Sequence, residues 1–151
     1  MKQYVCGFIR DKDNIALVRK NKPTWQAGKL NGIGGGIEPG EKAHDAMPRE
    51  WQEETGMVFD DWKLFAELCF DEAAVHFFKA TVEQLPTFPA INDIGEAIEV
   101  HNYESVVRSC STIPNLKWLL PLAFEDPDAG WTRSTPWLHK VAANDNSDVY
   151  A

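Results

Sequence analysis

The sequence predicts a single layered α/β domain in a chain of 151 residues. Apolar residues make up 44% of the chain and charged residues 25%, which is the composition of an ordinary globular protein with a sizeable core. Segments that alternate like strands are mixed irregularly with segments of helical composition, and this mixture is typical of an α/β fold. We expect the domain to cover residues 1–140 and the polar segment 141–151 to be a flexible tail.

The chain opens with a predicted β-hairpin. Residues 4–10 and 15–20 are both rich in apolar side chains, and the polar residues 11–14 between them have the composition of a turn. Residues 21–30 carry a proline and a glycine, so we expect them to form a loop.

A glycine-rich segment and a helix are predicted after this loop. Five glycines lie between Gly32 and Gly40, a density that indicates backbone in unusual dihedrals or in close approach to a ligand. Residues 41–55 have helical composition, and Gly56 stands where a helix-ending glycine is expected. Pro48 removes a backbone donor from this helix, so we expect a kink or a second helical start near it.

The second half of the chain predicts three further strands and a helix. Residues 62–70 alternate apolar and polar side chains, and residues 74–82 follow as the antiparallel partner. Residues 94–103 predict another strand. Residues 114–124 predict a helix that Pro121 interrupts. The apolar face of that helix consists of Leu116, Leu119, Leu120 and Ala123.

Composition and charge exclude several classes of protein. The net charge of −8, from 23 acidic and 15 basic residues, disfavours binding to duplex nucleic acid. No apolar run approaches the roughly 18 residues that a membrane span needs, and the N-terminus reaches charge too early for a secretory signal. We therefore expect a cytoplasmic protein without a membrane partner. The three cysteines form no C-x-x-C pair and predict free, buried thiols in a reducing cytosol: Cys6, Cys69 and Cys110.

Three carboxylates in the predicted helix form the most informative feature. Glu50, Glu53 and Glu54 stand at positions i, i+3 and i+4, so a helix places them on one face. Like charges at this spacing repel each other, and a hard divalent cation with oxygen ligands would compensate them. An open set of three carboxylates suits Mg²⁺ with substrate phosphates better than a closed Ca²⁺ site. The preceding glycine loop could bring backbone groups to the same ion or phosphate.

Two other phosphate-binding motifs fail on their spacing. Residues 35–43 imitate a P-loop, but Glu41 separates the glycine from the lysine, and Ala43 replaces the required serine or threonine. A dinucleotide-binding G-x-G-x-x-G also fails, because Ile37 stands at the final glycine position.

The whole string reads Gly35-x5-Glu41-x7-Arg49-Glu50-Trp51-x-Glu53-Glu54-x-Gly56-Met57. It resembles the Nudix box, G-x5-E-x7-R-E-U-x-E-E-x-G-U, in which U is a bulky apolar residue. All seven fixed positions match, and a chance match is on the order of 10⁻⁸ per window at ordinary residue frequencies. Trp51 stands where an aliphatic residue is usual, and Pro48 precedes the arginine. Both departures could shift the helix, but neither removes a ligand.

This resemblance implies an α/β/α sandwich with a mixed sheet and a loop–helix–loop catalytic motif. It also implies hydrolysis of a nucleoside diphosphate linked to another group, with Mg²⁺ or Mn²⁺ and an activated water. The implied metal ligands are Glu50, Glu53, Glu54 and the carbonyl of Gly34. Arg49 would hold one glutamate in its rotamer through a charge-assisted bond. Glu41 and Gly56 would fix the shape of the loop–helix–loop.

The resemblance does not determine the general base, which is either a glutamate of the box or an acid outside it. Some family members use an acid outside the box, and Glu99 is our candidate because it lies on the predicted late strand where MutT-like members carry such a glutamate. Glu96 and Asp93 remain alternatives, and each of the three could equally be an ordinary surface acid.

The segments that flank the box resemble those of MutT-like and oxidised-purine nucleoside triphosphate pyrophosphohydrolases. The resemblance implies that Arg19 and Lys20 lie near the phosphates, with Gly35 in the loop that approaches them. Asn31 would help to read the base. Asn115 would either read the base or cap the following helix. These enzymes usually carry lysine where this chain has Gly36, so one phosphate contact is absent by this comparison.

Three functions remain open at this point. The first is conversion of a nucleoside triphosphate to a monophosphate and pyrophosphate, with oxidised and non-standard purines among the candidate bases. The second keeps the fold and uses ADP-ribose, a nucleotide sugar or a dinucleoside polyphosphate as substrate. The third is a non-catalytic nucleotide-binding sensor, which the intact carboxylate set disfavours.

We expect most of the six tryptophans in the core, with Trp25 and Trp118 near the pocket. The sequence leaves open whether the protein forms a homodimer, and it leaves open the role of residues 127–140.

Overall fold

The computed structural model describes residues 1–89 and 95–125 of the chain. In these two ranges the strands are β1 (Lys2–Arg10), β2 (Asn14–Arg19), β3 (Leu30–Asn31), β4 (Ile33–Gly36), β5 (Lys63–Phe70), β6 (Ala73–Thr81) and β7 (Ala97–Asn102). The helices are α1 (Ala43–Thr55), α2 (Tyr103–Val107) and α3 (Leu116–Phe124). Asp93, the segment 127–140 and the tail 141–151 lie outside the described residues, and so does the first residue of the predicted strand 94–103, of which β7 is the described part.

The strands form one mixed sheet with β1 near its centre. β1 pairs in parallel with β6 and antiparallel with β2 and β4. β5 extends the sheet beyond β6, while β3 and β7 both pair antiparallel with β2. The parallel pairing of β1 with β6 requires a long crossover, and the chain between them contains α1. The predicted α/β fold with a mixed sheet is confirmed.

Helices cover both faces of this sheet. On one face, α1 contributes Ala46, Met47 and Trp51 to a buried apolar cluster. On the other face, α2 and α3 contribute Tyr103 and Leu119 to a second cluster. Burial of these two clusters removes apolar surface from water on both sides of the sheet, which holds the three layers together.

Several predicted elements are confirmed in detail. The first two strands form the expected hairpin, with Ile9 opposite Ala16 and Arg10 opposite Ile15. β5 and β6 pair antiparallel across the turn at residues 71–72. All four residues of the predicted apolar face of α3 are buried.

The predicted alternation along β5 is interrupted by a bulge. The register shifts between Leu64 and Ala66, so these residues pack on different sides of the sheet. Leu64 lies against the α1 cluster, whereas Ala66 and Leu68 join the α2–α3 cluster. Phe70, which we expected on the same face, is 53% exposed at the end of the strand. A single extra residue is enough to exchange the two faces, because side chains alternate with a period of two.

Helix α1 is continuous through Pro48, so a second helical start at this residue is wrong. Proline removes the donor that would bond the carbonyl of His44, and His44 is exposed, so water can satisfy that carbonyl. Gly56 ends the helix as predicted, with a left-handed φ of 75° and an N–H that donates to Gln52 O.

The glycine-rich segment contains a strand, which the sequence did not predict. Gly34 lies directly against the carbonyl of Val5 on β1, where a Cβ atom would collide with the backbone. In the segment from Gly32 to Gly40, φ is positive at Gly40. Close approach therefore explains most of these glycines, and the contacted groups belong to the chain itself.

The described cysteines are free, as predicted, but they are not all buried. Cys6 is buried, Cys69 is partly buried and Cys110 is exposed. Helix α2 was missed because its five residues are too few to show a helical period. Within the described part of the chain, no helix is both long and apolar enough to cross a membrane.

Candidate functional site

Arg49 on α1 connects the loop, the helix and the end of β4. Its Nε and Nη2 donate to the two carboxylate oxygens of Glu41 at 2.7 and 2.9 Å, a two-point ion pair. Its Nη1 donates to Glu50 at 2.8 Å and to Glu53 at 3.2 Å, and Nη2 also donates to Gly36 O at 2.9 Å. The pairing with Arg49 lowers the pKa of Glu41 to about 2. Arg49 thus orients three glutamates rather than the single one that we predicted.

Glu50 lies directly against the glycine strand. A Cβ atom on Gly35 would come within 2.5 Å of the Glu50 carboxylate, so an alanine at this position would displace that carboxylate. Burial raises the pKa of Glu50, and the ion pair with Arg49 opposes this shift. Gly35 therefore brings β4 and α1 close enough for the carboxylate and the strand backbone to meet.

Glu54 is the most buried of the three predicted ligands, with 8% of its surface exposed. Burial raises its pKa to about 8; Lys20 opposes this shift, while Glu50 and Glu96 add to it. A backbone hydrogen bond from Gly34 also stabilises the charged form. In residues 1–89 and 95–125, Glu54 Oε2 has no hydrogen-bond partner. A buried carboxylate oxygen without a donor fits a cation, because a positive ion would satisfy it.

The three glutamates do not converge on one point in this structure. Among the described residues, no three acidic, histidine or cysteine side chains are close enough together to hold a metal ion. The side chain of Glu53 is 57% exposed and turns to Arg49, whereas Glu54 faces the interior. The donor set nevertheless suits a hard divalent cation, because carboxylate oxygens from one helix lie beside the backbone of Gly34.

Outside the box, a further acidic residue, Glu96, lies near enough to act electrostatically on one of the box glutamates. Glu96 immediately precedes β7, and 1% of its surface is exposed. It accepts hydrogen bonds from Lys20 Nζ at 3.1 Å and from the Asn21 backbone N–H at 2.8 Å. Its charge also acts on Glu54. Because β2 and β7 pair in register, they bring Lys20 and Glu96 together although 76 residues separate them.

Glu99 has a different environment. Its carboxylate accepts from Arg19 Nε at 2.6 Å and Nη2 at 2.8 Å, and it lies 2.8 Å from His101 Nε2. These contacts, chiefly the bonds from Arg19, lower its pKa to about 2. A carboxylate that is stabilised in this way is a weak base. The same pairing engages Arg19, which we expected near the substrate phosphates.

A cavity of about 380 Å³ opens beside the box. This volume falls within the usual range of small-molecule sites. Four of the predicted site residues line it, together with Trp25: Lys20, Asn31, Gly34 and Gly35. The other predicted site residues that the structure describes are not among its lining residues, namely Arg19, Glu41, Arg49, Glu50, Glu53, Glu54, Gly56, Glu96, Glu99 and Asn115. Trp118, which we also expected near the pocket, packs against the α2–α3 cluster, and Trp51 and Trp62 are buried in the α1 cluster.

Asn31 is buried in the wall of this cavity with its amide fully oriented. Its Oδ1 accepts from the backbone N–H of Gly32 at 2.7 Å and lies 3.7 Å from Cys6 Sγ. Its Nδ2 donates to Gln26 Oε1 at 3.1 Å. Neither contact was predicted, since nothing in the local sequence of Gln26 or Cys6 shows that folding brings both to Asn31.

Asn115 immediately precedes α3 but makes no capping hydrogen bond with its side chain. Its Oδ1 is buried and has no hydrogen-bond partner in the part of the chain that the structure describes. Ile113, two residues before Asn115, donates its backbone N–H to Leu30 O, and the Leu30 N–H donates to Ser111 O. Asn115 therefore follows a segment that runs beside the residue before Asn31.

Comparison with known proteins gives a consistent result. The sequence matches the Nudix domain family over residues 2–135. A stretch of 70 residues is 37% identical to the 8-oxo-dGTP diphosphatase of Escherichia coli (strain K12), covering 46% of this chain and 54% of that protein. The chain thus matches about half the length of this curated relative.

Solved structures share the same fold. The MutT protein of Bacillus halodurans superposes with a TM-score of 0.63 at 23% identity, covering 79% of each chain. The MutT protein of Methanosarcina mazei Go1 superposes with a TM-score of 0.60 at 20% identity, covering 75% of this chain and 85% of that one. At these identities the likeness concerns the fold alone.

Proposed function

The chain belongs to the Nudix domain family, and on this basis we propose that it is a divalent-cation-dependent hydrolase that cleaves the diphosphate linkage of a nucleotide. Nudix hydrolases generally need a divalent cation and act on small nucleotides. The observation that carries the proposal is the position of Glu50 and Glu54 beside the backbone of Gly34 and Gly35, two residues that line the cavity.

The cation that we propose is Mg²⁺, with Mn²⁺ as a substitute. Glu50, Glu53, Glu54 and the carbonyl of Gly34 would hold it. When bound, it would offset the negative charge of the diphosphate and acidify the attacking water. Arg49 supports this arrangement from the other side, because it fixes the loop through Glu41 and holds Glu50 and Glu53 on the same helix face.

For the proton acceptor, the geometry favours Glu96 over Glu99. Glu96 pairs with Lys20, which lines the cavity, and acts electrostatically on Glu54, whereas Glu99 pairs with Arg19, which does not line the cavity. In our proposal Glu96 takes the proton from the attacking water, and Lys20, which lines the cavity, contacts the phosphates.

The substrate that we propose is a nucleoside triphosphate, which would yield a monophosphate and pyrophosphate. The 37% identity to an 8-oxo-dGTP diphosphatase over 70 residues supports this choice and favours an oxidised purine. The free thiols support an enzyme that works in the reducing cytosol.

The test is a hydrolysis screen with and without Mg²⁺, in which phosphate and pyrophosphate are resolved. The panel contains ordinary and oxidised nucleoside triphosphates, ADP-ribose, nucleotide sugars and dinucleoside polyphosphates. We expect pyrophosphate from a triphosphate, with turnover about 100-fold or more lower in Glu54→Gln. The matched control is Glu72→Gln, which makes the same change at an exposed position.

The other outcomes of this screen are equally informative. Hydrolysis restricted to the diphosphate-linked compounds would overturn the proposed substrate. If the protein binds a nucleotide but hydrolyses none of the compounds, this result would overturn the enzyme proposal and indicate a sensor module. Full activity in Glu54→Gln would overturn the role of the box.

A further inference from the structure

Residues 21–29, which we call the cavity loop, form one wall of the cavity although none of them is buried. The loop contributes Pro23, Trp25 and Gln26 to the lining. Burial in the core therefore does not hold this wall in place, and a segment of this kind opens easily unless hydrogen bonds attach it to the sheet.

Backbone bonds within the cavity loop connect its lining residues to its last peptide unit. The N–H of Gln26 donates to Pro23 O at 2.9 Å, and the N–H of Lys29 donates to Gln26 O at 2.9 Å. The carbonyl of Gly28 and the N–H of Lys29 belong to the same peptide unit, which is planar. The orientation of this peptide unit is therefore coupled to the position of Gln26.

Steric contacts do not fix the orientation of that peptide unit. Gly28 has a φ of 80°, and a Cβ atom on it would have nothing within 4 Å. The Gly28 N–H donates to Lys20 O at 2.8 Å, and the Lys20 N–H donates to Lys29 O at 2.9 Å. These two bonds close the base of the cavity loop, but neither of them uses the carbonyl of Gly28.

Arg19 on β2 binds this carbonyl. Its Nη1 donates to Gly28 O at 2.9 Å, while its Nε and Nη2 donate to the two carboxylate oxygens of Glu99 at 2.6 and 2.8 Å. Because all three nitrogens are engaged, the guanidinium cannot turn away from the loop without breaking the ion pair. His101 Nε2 lies 2.8 Å from Glu99 Oε1 and orients that carboxylate in turn.

The other end of the cavity loop is attached to the same part of the sheet. The backbone N–H of Asn21 donates to Glu96, which immediately precedes β7, at 2.8 Å. Two glutamates three residues apart therefore bind the two ends of the loop, Glu96 directly and Glu99 through Arg19.

We propose that Arg19 and Glu99 are positioning residues that hold the cavity loop in the position in which it binds a nucleotide. Neither of them lines the cavity, so their effect reaches the nucleotide through the loop. This inference rests on the proposed nucleotide site. A wall that is fixed before binding loses little freedom when the ligand arrives, so the ion pair increases affinity without contacting the ligand.

The test measures the loop and the ligand separately. Hydrogen exchange of the free protein, read by mass spectrometry, reports on residues 21–29, and calorimetry with inosine and adenosine monophosphate gives the dissociation constants. Arg19→Lys keeps the charge but cannot bind Glu99 and Gly28 at once. We expect faster exchange in the cavity loop, unchanged exchange in β1, and about three- to tenfold weaker binding of both nucleotides. Arg108→Lys, at an exposed position, is the matched control.

A double-mutant cycle shows whether Glu99 acts through Arg19. Glu99→Ala should weaken both nucleotides about as much as Arg19→Ala does, and the double variant should be no weaker than either single one. If Arg19 instead bound the phosphate, Glu99→Ala would release the guanidinium and tighten binding. Glu72→Ala, at an exposed position, controls for the loss of a negative charge.

Tighter binding in Glu99→Ala, additive losses in the double variant, or unchanged loop exchange in Arg19→Lys would overturn the inference. The proposed function fails separately. Altered exchange and weaker binding in a protein that hydrolyses no nucleotide would leave the positioning role standing, whereas hydrolysis with an unaffected loop would overturn the positioning role alone.

Discussion

Arg49 and Glu41 form a two-point ion pair, with Nε–Oε1 at 2.7 Å and Nη2–Oε2 at 2.9 Å, between the first half of α1 and the loop that precedes it. The same guanidinium reaches Glu50 and Glu53 through its third nitrogen. A planar group with five N–H donors can make all of these contacts at once, whereas a lysine ammonium cannot.

We therefore predict that Arg49→Lys impairs catalysis although it keeps the charge. Steady-state kinetics should show a loss of kcat/KM of about 10- to 100-fold, because the glutamates lose their fixed orientation. The matched control is Arg108→Lys, since Arg108 is exposed and donates through Nε to Glu104 O. Equal activities of the two variants would contradict the positioning role of Arg49.

The choice between the two acids near β7 gives the second prediction. Glu96→Gln should lower kcat by about 100-fold, because it removes the proposed proton acceptor beside Glu54. Glu99→Gln should have a much smaller effect, since Glu99 pairs with Arg19 and, unlike Glu96, is not among the groups that act on Glu54. The measurement is kcat as a function of pH in both variants, compared with the unaltered protein. A larger loss in Glu99→Gln would restore our first candidate for the base.

The Arg19–Glu99 pair also predicts a pH dependence of stability. The pKa of Glu99 is lowered from 4.5 to about 2, so the folded state favours its charged form. The contribution of the pair is then complete above about pH 4.5 and is lost as the pH falls towards 2. Because both side chains are about one third exposed, we expect less than about 1 kcal/mol.

Urea unfolding between pH 6 and pH 2.5 measures this contribution. Glu99→Gln should be less stable than the unaltered protein at pH 6, and the difference should shrink at the acidic end. Glu104→Gln, at an exposed position on α2, provides the control. A difference that grows as the pH falls would show that Arg19 does not stabilise the charged form.

Two asparagines that precede helices provide the fourth prediction. Asn102 caps α2 by accepting from the Ser105 N–H at 3.1 Å, whereas Asn115 makes no such bond before α3. Asn102→Ala should therefore reduce the free energy of unfolding by about 1 kcal/mol. Asn115→Ala should reduce it less and should instead change the preference among nucleobases. A larger stability loss in Asn115→Ala, with an unchanged base preference, would show that Asn115 is structural.

The sequence predicted those parts of the fold that a local pattern specifies. The hairpin, α1 with Gly56, the β5–β6 pair and α3 all follow from periodicity and turn residues. Strand β4 does not, because glycine has a low strand propensity and its extended form results from pairing with β1. The bulge between Leu64 and Ala66 is likewise a property of the paired strands, so no periodicity within β5 predicts it.

The site also combines features that a local sequence pattern predicts with features that depend on distant contacts. Spacing alone places Glu50, Glu53 and Glu54 on one turn of helix, and the box also identifies Arg49. The environment of each group depends on contacts that are distant in sequence. Lys20 meets Glu96 only after β2 and β7 have paired, and Gln26 reaches Asn31 through a loop without regular structure. Neither contact leaves a spacing signal, so the sequence could nominate Lys20, Glu96 and Asn31 but could not assign their partners, and it did not nominate Gln26.

Trp25 supports the last prediction. Its side chain lines the cavity and is 46% exposed, in the loop that also carries Gln26. An exposed aromatic ring beside a nucleotide site can stack on a base, and every base offers a π-face. Trp25→Ala should therefore weaken inosine and adenosine monophosphate by the same factor, about 5- to 100-fold, and leave their ratio unchanged. Trp25→Phe should recover most of the affinity, because a smaller ring still stacks. Calorimetry with both nucleotides measures this effect, and a change in the ratio of their dissociation constants in Trp25→Ala would show that the tryptophan takes part in base selection rather than in stacking alone.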